Sequence, residues 1–429
     1  MSNKFNRYYQ AVSFLESIVN IPQIEKAKEK NQRDLVLKRF RYLLKLLGNP
    51  HLDLNYIHVG GTAGKGSVAV MIAEILTQAG YQTGLFTSPF QTTSIEKIRI
   101  NDQLIDPKDF ALLVEKIKPT LDAYYQTDRF GRPTYFELFL AVAFLYFKKQ
   151  KCDYVVLEVG IGGRNDPTNI IPKPVATIIN LVSFDHQEIL GKTLNQITAE
   201  KNGIIKPKTI FFTTSQNHSG VIKQLKNVCQ KNQAEFNVIN LPRKKYQLAM
   251  VGEVQKYNAA LAEAVAKKLG LSQKYITTGL KKAKLPCRFE MIQKNPLVIL
   301  DGAHNISKIK SVLENLKNLT YQKLYLIIAL TNKRQPKKIF APLIPLAKII
   351  YLTRFETTAK KCYPPLKLKK ELNLKDKGKI YLDAKMALSD ALKKARRKDL
   401  ILITGSFYLA GELRKRWRSE EKILRERRI

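Results

Sequence analysis

Residues 57–70 read IHVGGTAGKGSVAV, a glycine-rich turn holding Gly61, Thr62, Gly64, Lys65, Gly66 and Ser67 between an apolar run and a helical pattern. Such a turn lets backbone amides approach a phosphate, and the amides at the start of a helix point at whatever occupies it. The spacing departs from the strict G-x-x-x-x-G-K-[ST] loop, because the stretch before Gly64-Lys65 is shorter and Gly66 separates Lys65 from the hydroxyl of Ser67. The plain alternative is a strand-to-helix turn with an exposed lysine.

Further candidates follow apolar runs. Glu158 closes YVVLE, and a carboxylate at the tip of a buried strand beside a phosphate loop can hold magnesium, a hard cation that takes few protein oxygens plus phosphate and water. An ion pair with Arg164 is the alternative. His186, after Asp185 in FDHQEILGKTL, is a ligand or a satisfied structural histidine. Lys201, in ITAEKNGII, can bind phosphate or complement a helix C-terminus. Asp301, His304 and Asn305 follow the strand VIL in DGAHN, with Arg288 ahead of them in PCRFE, where a planar guanidinium suits phosphate or carboxylate. Asp301 could instead cap the helix that starts near Asn305. No Ser-His-Asp set and no Cys/His cluster emerges, which removes covalent hydrolysis and leaves acyl activation by phosphoryl transfer.

The elements that must position these residues alternate between strand-like and helical patterns, the signature of parallel α/β sheets. A helix is expected over Val68 to Gln78 with Gly80 as its cap, then strands in TGLFTSP and EKIRIND, and helices around Asp109 to Ile117 and Phe136 to Phe147. Strand ends near Val59, Glu158 and His186 then carry polar chemistry in a row, where ligands gather in open α/β sheets. A boundary near 281–286 opens a second set of strands in PLVILDGAHN, KLYLIIAL, AKIIYLTRF, KIYLDA and LILITGSFYLAGEL. The expectation is an α/β protein of two domains with the ligand between them: residues 1–284, P-loop-like with a mostly parallel sheet, and a smaller Rossmann-like unit, 285–429.

The 429 residues carry 74 Lys and Arg against 36 Asp and Glu, a formal net charge of +38. The excess is spread from Lys26 to Arg428, which favours solvated surface and anionic substrates over a dedicated nucleic-acid face. The dense tail, RKRWRSEEKILRERRI, reads as a solvated helix face. No apolar run long enough for a membrane span and no signal-peptide pattern occurs, so a cytoplasmic protein is expected. Cys152, Cys229, Cys287 and Cys362 are scattered without a C-x-x-C pair, against a zinc knuckle or disulfide framework.

Taken in order, GTAGKGS, TSPF followed by EKIRIND, TYFE, EVGIGGRNDPTN, FDHQEILGKTL with EKNGI, CRFE, LDGAHN and ITGSFYL resemble the folylpolyglutamate synthase and dihydrofolate synthase family, a branch of the Mur ligases. The resemblance runs from about Arg39 to Glu412. It implies a ligase in which the γ-phosphate of ATP passes to a folate or dihydropteroate carboxylate and L-glutamate displaces phosphate from the acyl phosphate. Gly61, Thr62, Gly64, Lys65, Gly66 and Ser67 then hold the ATP phosphates, Ser88, Glu158 and His186 hold Mg2+, and Lys201, often carbamylated in the family, joins them. The catalytic group is Lys65, Glu158, His186 and Lys201. Arg288, Asp301 and His304 contact ATP from the second domain, and Lys97, His304 and Ser406 receive glutamate. The implied state is a monomer with small-molecule substrates.

Departures from the family strings are Ala63 for asparagine, Phe90 for histidine, Lys97 for arginine, Asn202 for alanine and Ile306 for proline. Lys97 keeps the charge and loses the planar fork. Two other readings are a Mur-type ligase acting on a non-folate acid and a basic nucleotide-dependent nucleic-acid-binding protein. The 60 residues before Gly61 are too few for the UDP-sugar domain of peptidoglycan members.

Overall fold

The computed structural model describes residues 5–18, 30–127, 130–241, 245–332, 334–357 and 361–429. Two sheets organise the chain. The first has eight strands, β1 (Asn55–Gly60), β2 (Thr83–Phe86), β3 (Ile98–Ile100), β4 (Gln103–Leu104), β5 (Tyr154–Glu158), β6 (Ala176–Ile179), β7 (Ile210–Thr214) and β8 (Glu235–Ile239), in the order β4-β3-β2-β5-β1-β6-β7-β8. β3 alone runs against the others, antiparallel to both β2 and β4. The second has six strands, β9 (Glu290–Lys294), β10 (Leu297–Leu300), β11 (Leu324–Ile328), β12 (Ala347–Leu352), β13 (Gly378–Ile380) and β14 (Leu400–Thr404), in the order β13-β12-β11-β14-β10-β9, with β9 alone antiparallel. The alternation read from the sequence therefore yields two mostly parallel sheets.

Continuous apolar runs form the central strands because helices cover both faces of a parallel sheet and leave no polar side. β1 is buried in every residue but its first, and Val59 pairs with Glu158 at the neighbouring strand's end. The helix Lys65–Gln78 is buried from Gly66 through Leu76, lying between the sheet and the helices Glu253–Lys268 and Gln273–Lys282. Gly279 permits that last contact, since a Cβ there would stand 2.6 Å from the Ile75 Cα. On the other face the helix Tyr135–Lys149 is buried from Glu137 to Phe147. It opens with a capping box between Thr134 and Glu137, and Arg39 reaches back to the same carboxylate at 2.9 Å.

Two expectations change. β6 stops at Ile179, so Asp185 and His186 do not stand at the strand's end but beyond a loop, which reaches further toward the second sheet than a strand tip could. The basic tail is not simply a solvated face: in its helix Glu420–Glu426, Ile423 and Leu424 are buried in the first sheet's core beside Leu15 and Phe110. The Leu104 amide donates to the Arg427 carbonyl at 2.9 Å, so the chain end covers the short edge strand β4.

Candidate active site

The glycine-rich turn leaves β1 and is held by the next strand's exit. The Thr62 amide donates to the Leu181 carbonyl at 2.7 Å, and the Thr62 hydroxyl donates to the Ser183 carbonyl at 3.1 Å. Gly64 has φ +77°, and a Cβ there would lie 2.2 Å from Asn180 Nδ2 and 2.5 Å from Asn258 Oδ1, two groups that hydrogen-bond each other at 2.7 Å. No other residue type fits that position without moving this amide pair. The turn releases its helix at Lys65, which leaves the first amides free and directed outward. Ala63, half-buried on the rim, contributes no polar side chain.

Glu158 faces this turn from β5. A Cβ on Gly66 would meet its oxygens at 3.2 and 3.3 Å, and Oε2 accepts the Ser88 amide at 3.0 Å. Burial pushes the Glu158 carboxyl up, while Lys65, the Ser88 amide, Arg288 and Lys308 partly offset that rise. Arg164 is no partner for it, because its guanidinium donates to the Ala199 carbonyl at 3.1 Å and to Asn202 Oδ1 at 3.4 Å. That contact also gives Asn202 a role no alanine could fill.

Lys201 is the last residue of the helix Leu194–Lys201, yet its ammonium does not serve that helix: Nζ donates to the Gly61 carbonyl at 2.9 Å. Burial and the neighbouring Lys65 bring it down to about 7. His186 adopts φ +48°, with Nδ1 3.8 Å from Glu188 Oε1 and its ring half-buried rather than sealed in a core. Burial lowers its imidazole, against the pull of Asp185. Among the described residues no cluster of three His, Cys, Asp or Glu side chains stands ready for a metal. The donor set suits Mg2+ nonetheless, since that ion needs few protein oxygens beside phosphate, and the buried Glu158 carboxylate has one amide partner and a spare oxygen beside Ser88.

The second sheet presents its own strand ends. Asp301 accepts the amides of Phe289 at 2.8 Å and Ala303 at 2.7 Å, so it shapes the loop and leaves the helix cap to Asn305, whose side chain accepts the Lys308 amide at 3.0 Å. Ile306 opens that helix at a position proline tolerates, and its replacement of proline needs no compensation. The Arg288 guanidinium lies 4.0 Å over the Phe407 ring. His304 Nδ1 meets the Gly302 carbonyl at 2.8 Å, which makes Nδ1 the donor and Nε2 the acceptor, and Lys308 Nζ stands 3.2 Å from Nε2. Burial and Lys308 hold His304 well below the ordinary histidine range, hence neutral. Ser406 is buried and caps the helix Phe407–Arg414, its hydroxyl accepting the Tyr408 amide at 3.1 Å and keeping its own proton to donate.

Lys97 is held by aromatic rings. Its ammonium lies 3.8 Å from the Phe139 ring centroid, 4.1 Å from Tyr135 and 5.2 Å from Phe90, in a box of ring faces under the loop that follows β2. Two of the departures from the family strings, Phe90 and Lys97, therefore touch each other. Burial brings the ammonium down to about 7, with Glu16 opposing.

The sequence reading named Asp185 and Asn305 without assigning them a role, and missed Arg334, which with them joins the two sheets. Asp185 Oδ1 pairs with Arg334 at 2.9 Å, and its Oδ2 accepts Asn305 Nδ2 at 3.1 Å. Lys308 was also missed, although its place four residues after His304 puts both on one face once the helix start at Asn305 is fixed. A third omission lies behind the loop after β5, where Asp166 accepts the Ile161 amide at 2.9 Å and Thr168 Oγ1 bridges Asp166 to His58.

Residues 59–211 match the Mur ligase middle domain, and residues 287–407 match the Mur ligase glutamate ligase domain. The dihydrofolate synthase/folylpolyglutamate synthase of Bacillus subtilis is 31% identical over 415 residues, 89% of this chain and 94% of that protein. The folylpolyglutamate synthase of Lacticaseibacillus casei is 31% identical over 88% of this chain and 93% of its own length. The Mycobacterium tuberculosis folylpolyglutamate synthase complexed with ADP superposes with a TM-score of 0.85 at 25% identity, covering 96% of this chain and 98% of that one. The two family matches and relatives at 31% identity over most of the chain agree: the chain belongs to the folylpolyglutamate synthase and dihydrofolate synthase family of Mur ligases.

Proposed function

We infer that this protein is an ATP-dependent ligase that forms an amide between L-glutamate and the carboxylate of a folate or dihydropteroate. The observation that carries the reading is the set of cations at the facing strand ends. Lys65, Arg288 and Lys308 stand near enough to Glu158 to offset part of the rise that burial gives its carboxyl, yet among the described residues none of the three has a carboxylate within ion-pair distance. Unpaired cations brought together repel one another and are relieved by a polyanion. A triphosphate over the free amides at Lys65 supplies one.

In the reaction, a carboxylate oxygen of the acceptor attacks the γ-phosphorus of ATP, the bond to the bridging oxygen breaks, and ADP leaves. The glutamate amine then attacks the acyl carbon, phosphate departs, and the amine's proton goes to solvent. Catalysis of this kind is positioning and charge neutralisation, which agrees with a site that offers no nucleophile. Gly61, Thr62, Gly64, Gly66 and Ser67 bind the phosphates and Lys65 neutralises them. Arg288, Asp301 and His304 hold the nucleotide from the second sheet, while His304 and Ser406 take glutamate. Glu158, Ser88 and His186 would hold Mg2+, which supplies charge to the phosphates. The site lies between residues 1–284 and 285–429.

Lys201 suits carbamylation. Its amine is near neutrality, and a neutral amine adds CO2 to give a carbamate and one proton, exchanging a cation beside Lys65 for an anion. Intact-mass analysis in bicarbonate tests it: a mass increase equal to one CO2, absent in Lys201→Ala, is expected. The function is tested by phosphate release from MgATP and L-glutamate with dihydropteroate, with tetrahydrofolate, and with neither, the amide product identified by mass. Release that requires glutamate and a pterin is expected and names the acceptor. Release indifferent to both pterins would sink the folate reading.

A further inference from the structure

Among the described residues Lys308 has no carboxylate within ion-pair distance. It lies in the first turn of the helix Ile306–Lys317, where the helix dipole disfavours positive charge. The charged groups facing it are Arg288, Lys65 and Arg334 against Asp185, Glu158 and Asp301. None of these acids serves it directly. Asp185 already holds Arg334 at 2.9 Å, Asn305 at 3.1 Å and the His186 amide at 3.0 Å. Asp301 holds two amides, and Glu158 belongs to the first sheet's turn. The Lys308 ammonium is left to donate to a neutral imidazole, His304 Nε2, at 3.2 Å.

Resting on the ATP-dependent reading above, we propose that Lys308 is a further phosphate-binding residue: its ammonium takes the γ-phosphoryl group from the second sheet's side, together with Lys65 and Arg288. The exchange has a consequence for the second substrate. While Lys308 donates to Nε2, the lone pair of His304 is occupied; once the ammonium turns to phosphate, Nε2 is free to accept an N–H from the incoming glutamate amine. Nucleotide binding thereby prepares the glutamate position through one side chain, and glutamate binds better after the triphosphate than before it.

The test is equilibrium binding of ADP and of the non-hydrolysable triphosphate AMPPCP, with Mg2+, to the wild type, Lys308→Met and Lys308→Arg. The expected result is that Lys308→Met weakens AMPPCP by about tenfold, the size of one charge-assisted contact, and ADP by less than about twofold, with Lys308→Arg restoring most of the difference. AMPPCP should tighten glutamate binding in the wild type and not in Lys308→Met. Wild-type AMPPCP affinity in Lys308→Met overturns the proposal, and so does equal weakening of both nucleotides, which marks a general effect on the loop. A wild type that binds neither nucleotide defeats the ligase reading instead. Should Lys308→Met fail to fold by its melting curve, Lys308→Gln carries the same comparison.

Discussion

Lys201 and Lys97 are both lysines buried to the same end, each brought to about 7 by loss of water, and the two regions around them use that burial differently. Lys201 sits behind the phosphate turn on a backbone carbonyl, with Lys65 repelling it. Its cheapest escape is to change chemistry, by losing a proton or gaining a carboxylate. Lys97 sits under the loop after β2, where three ring faces supply negative potential without an anion. A desolvated cation–π contact of this kind is worth about 2 kcal/mol, so the ring box offsets part of the cost of burying the ammonium. A depressed lysine is therefore not by itself a sign of catalysis; what surrounds the ammonium decides.

The largest effect belongs to the turn. Glu158→Gln and Lys65→Ala should each reduce ATP turnover by about a hundredfold or more while the melting curve stays in place, because each removes charge placed for the phosphates. Wild-type turnover in either variant takes that residue out of the site and leaves Lys201 without a functional neighbour.

Next comes the pH dependence of stability. A lysine whose folded value falls from 10.5 to about 7 binds fewer protons folded than unfolded between those limits, so stability rises with pH across that window. Urea midpoints of Lys97→Met should lose up to about 1.4 kcal/mol per pH unit of that slope. Lys201→Met should flatten it as well. Added bicarbonate should alter the wild-type slope through Lys201 and not through Lys97, which rings enclose. A bicarbonate effect that survives Lys201→Met would break the contrast.

A smaller effect separates two glycines of positive φ. Gly64→Ala, at φ +77°, meets Asn180 at 2.2 Å, whereas Gly80→Ala, at φ +92°, meets nothing within 4 Å. The second should cost about 1–2 kcal/mol by denaturation, the strain of a left-handed residue, and the first measurably more together with weaker nucleotide binding. Equal costs would mean that the amide pair behind the turn yields freely.

The smallest expected change is in Lys97→Arg, whose guanidinium can still lie on the rings. Its KM for glutamate should stay within about twofold of wild type, as a residue held by ring faces requires. A clear fall in KM would return Lys97 to the substrate and undo the contrast with Lys201.

The chemistry along the first sheet was legible because it is local. Glycines, a lysine and a serine within one turn, and an acid closing an apolar strand, are patterns a short stretch of sequence displays, and the order of such strings carried the family. Helix positions were readable to within a residue or two, as from Phe136 and near Asn305, while the caps themselves, Thr134 and Asn305 rather than Asp301, came from the structure. What the sequence by itself determined is therefore the two mostly parallel sheets, the glycine-rich turn between strand and helix, and the acid that closes the neighbouring strand.

Only the tertiary structure decided which lysine does what. Lys201 finds Gly61 across 140 positions, and Arg334 finds Asp185 across 149. Lys97 gathers rings from the loop after β2 and from the helix Tyr135–Lys149, and Lys308 faces charges from both sheets. A lysine's charge is the same in every string of letters; its proton affinity and its use depend on burial and on distances to other charges, and those quantities exist only once the chain has folded.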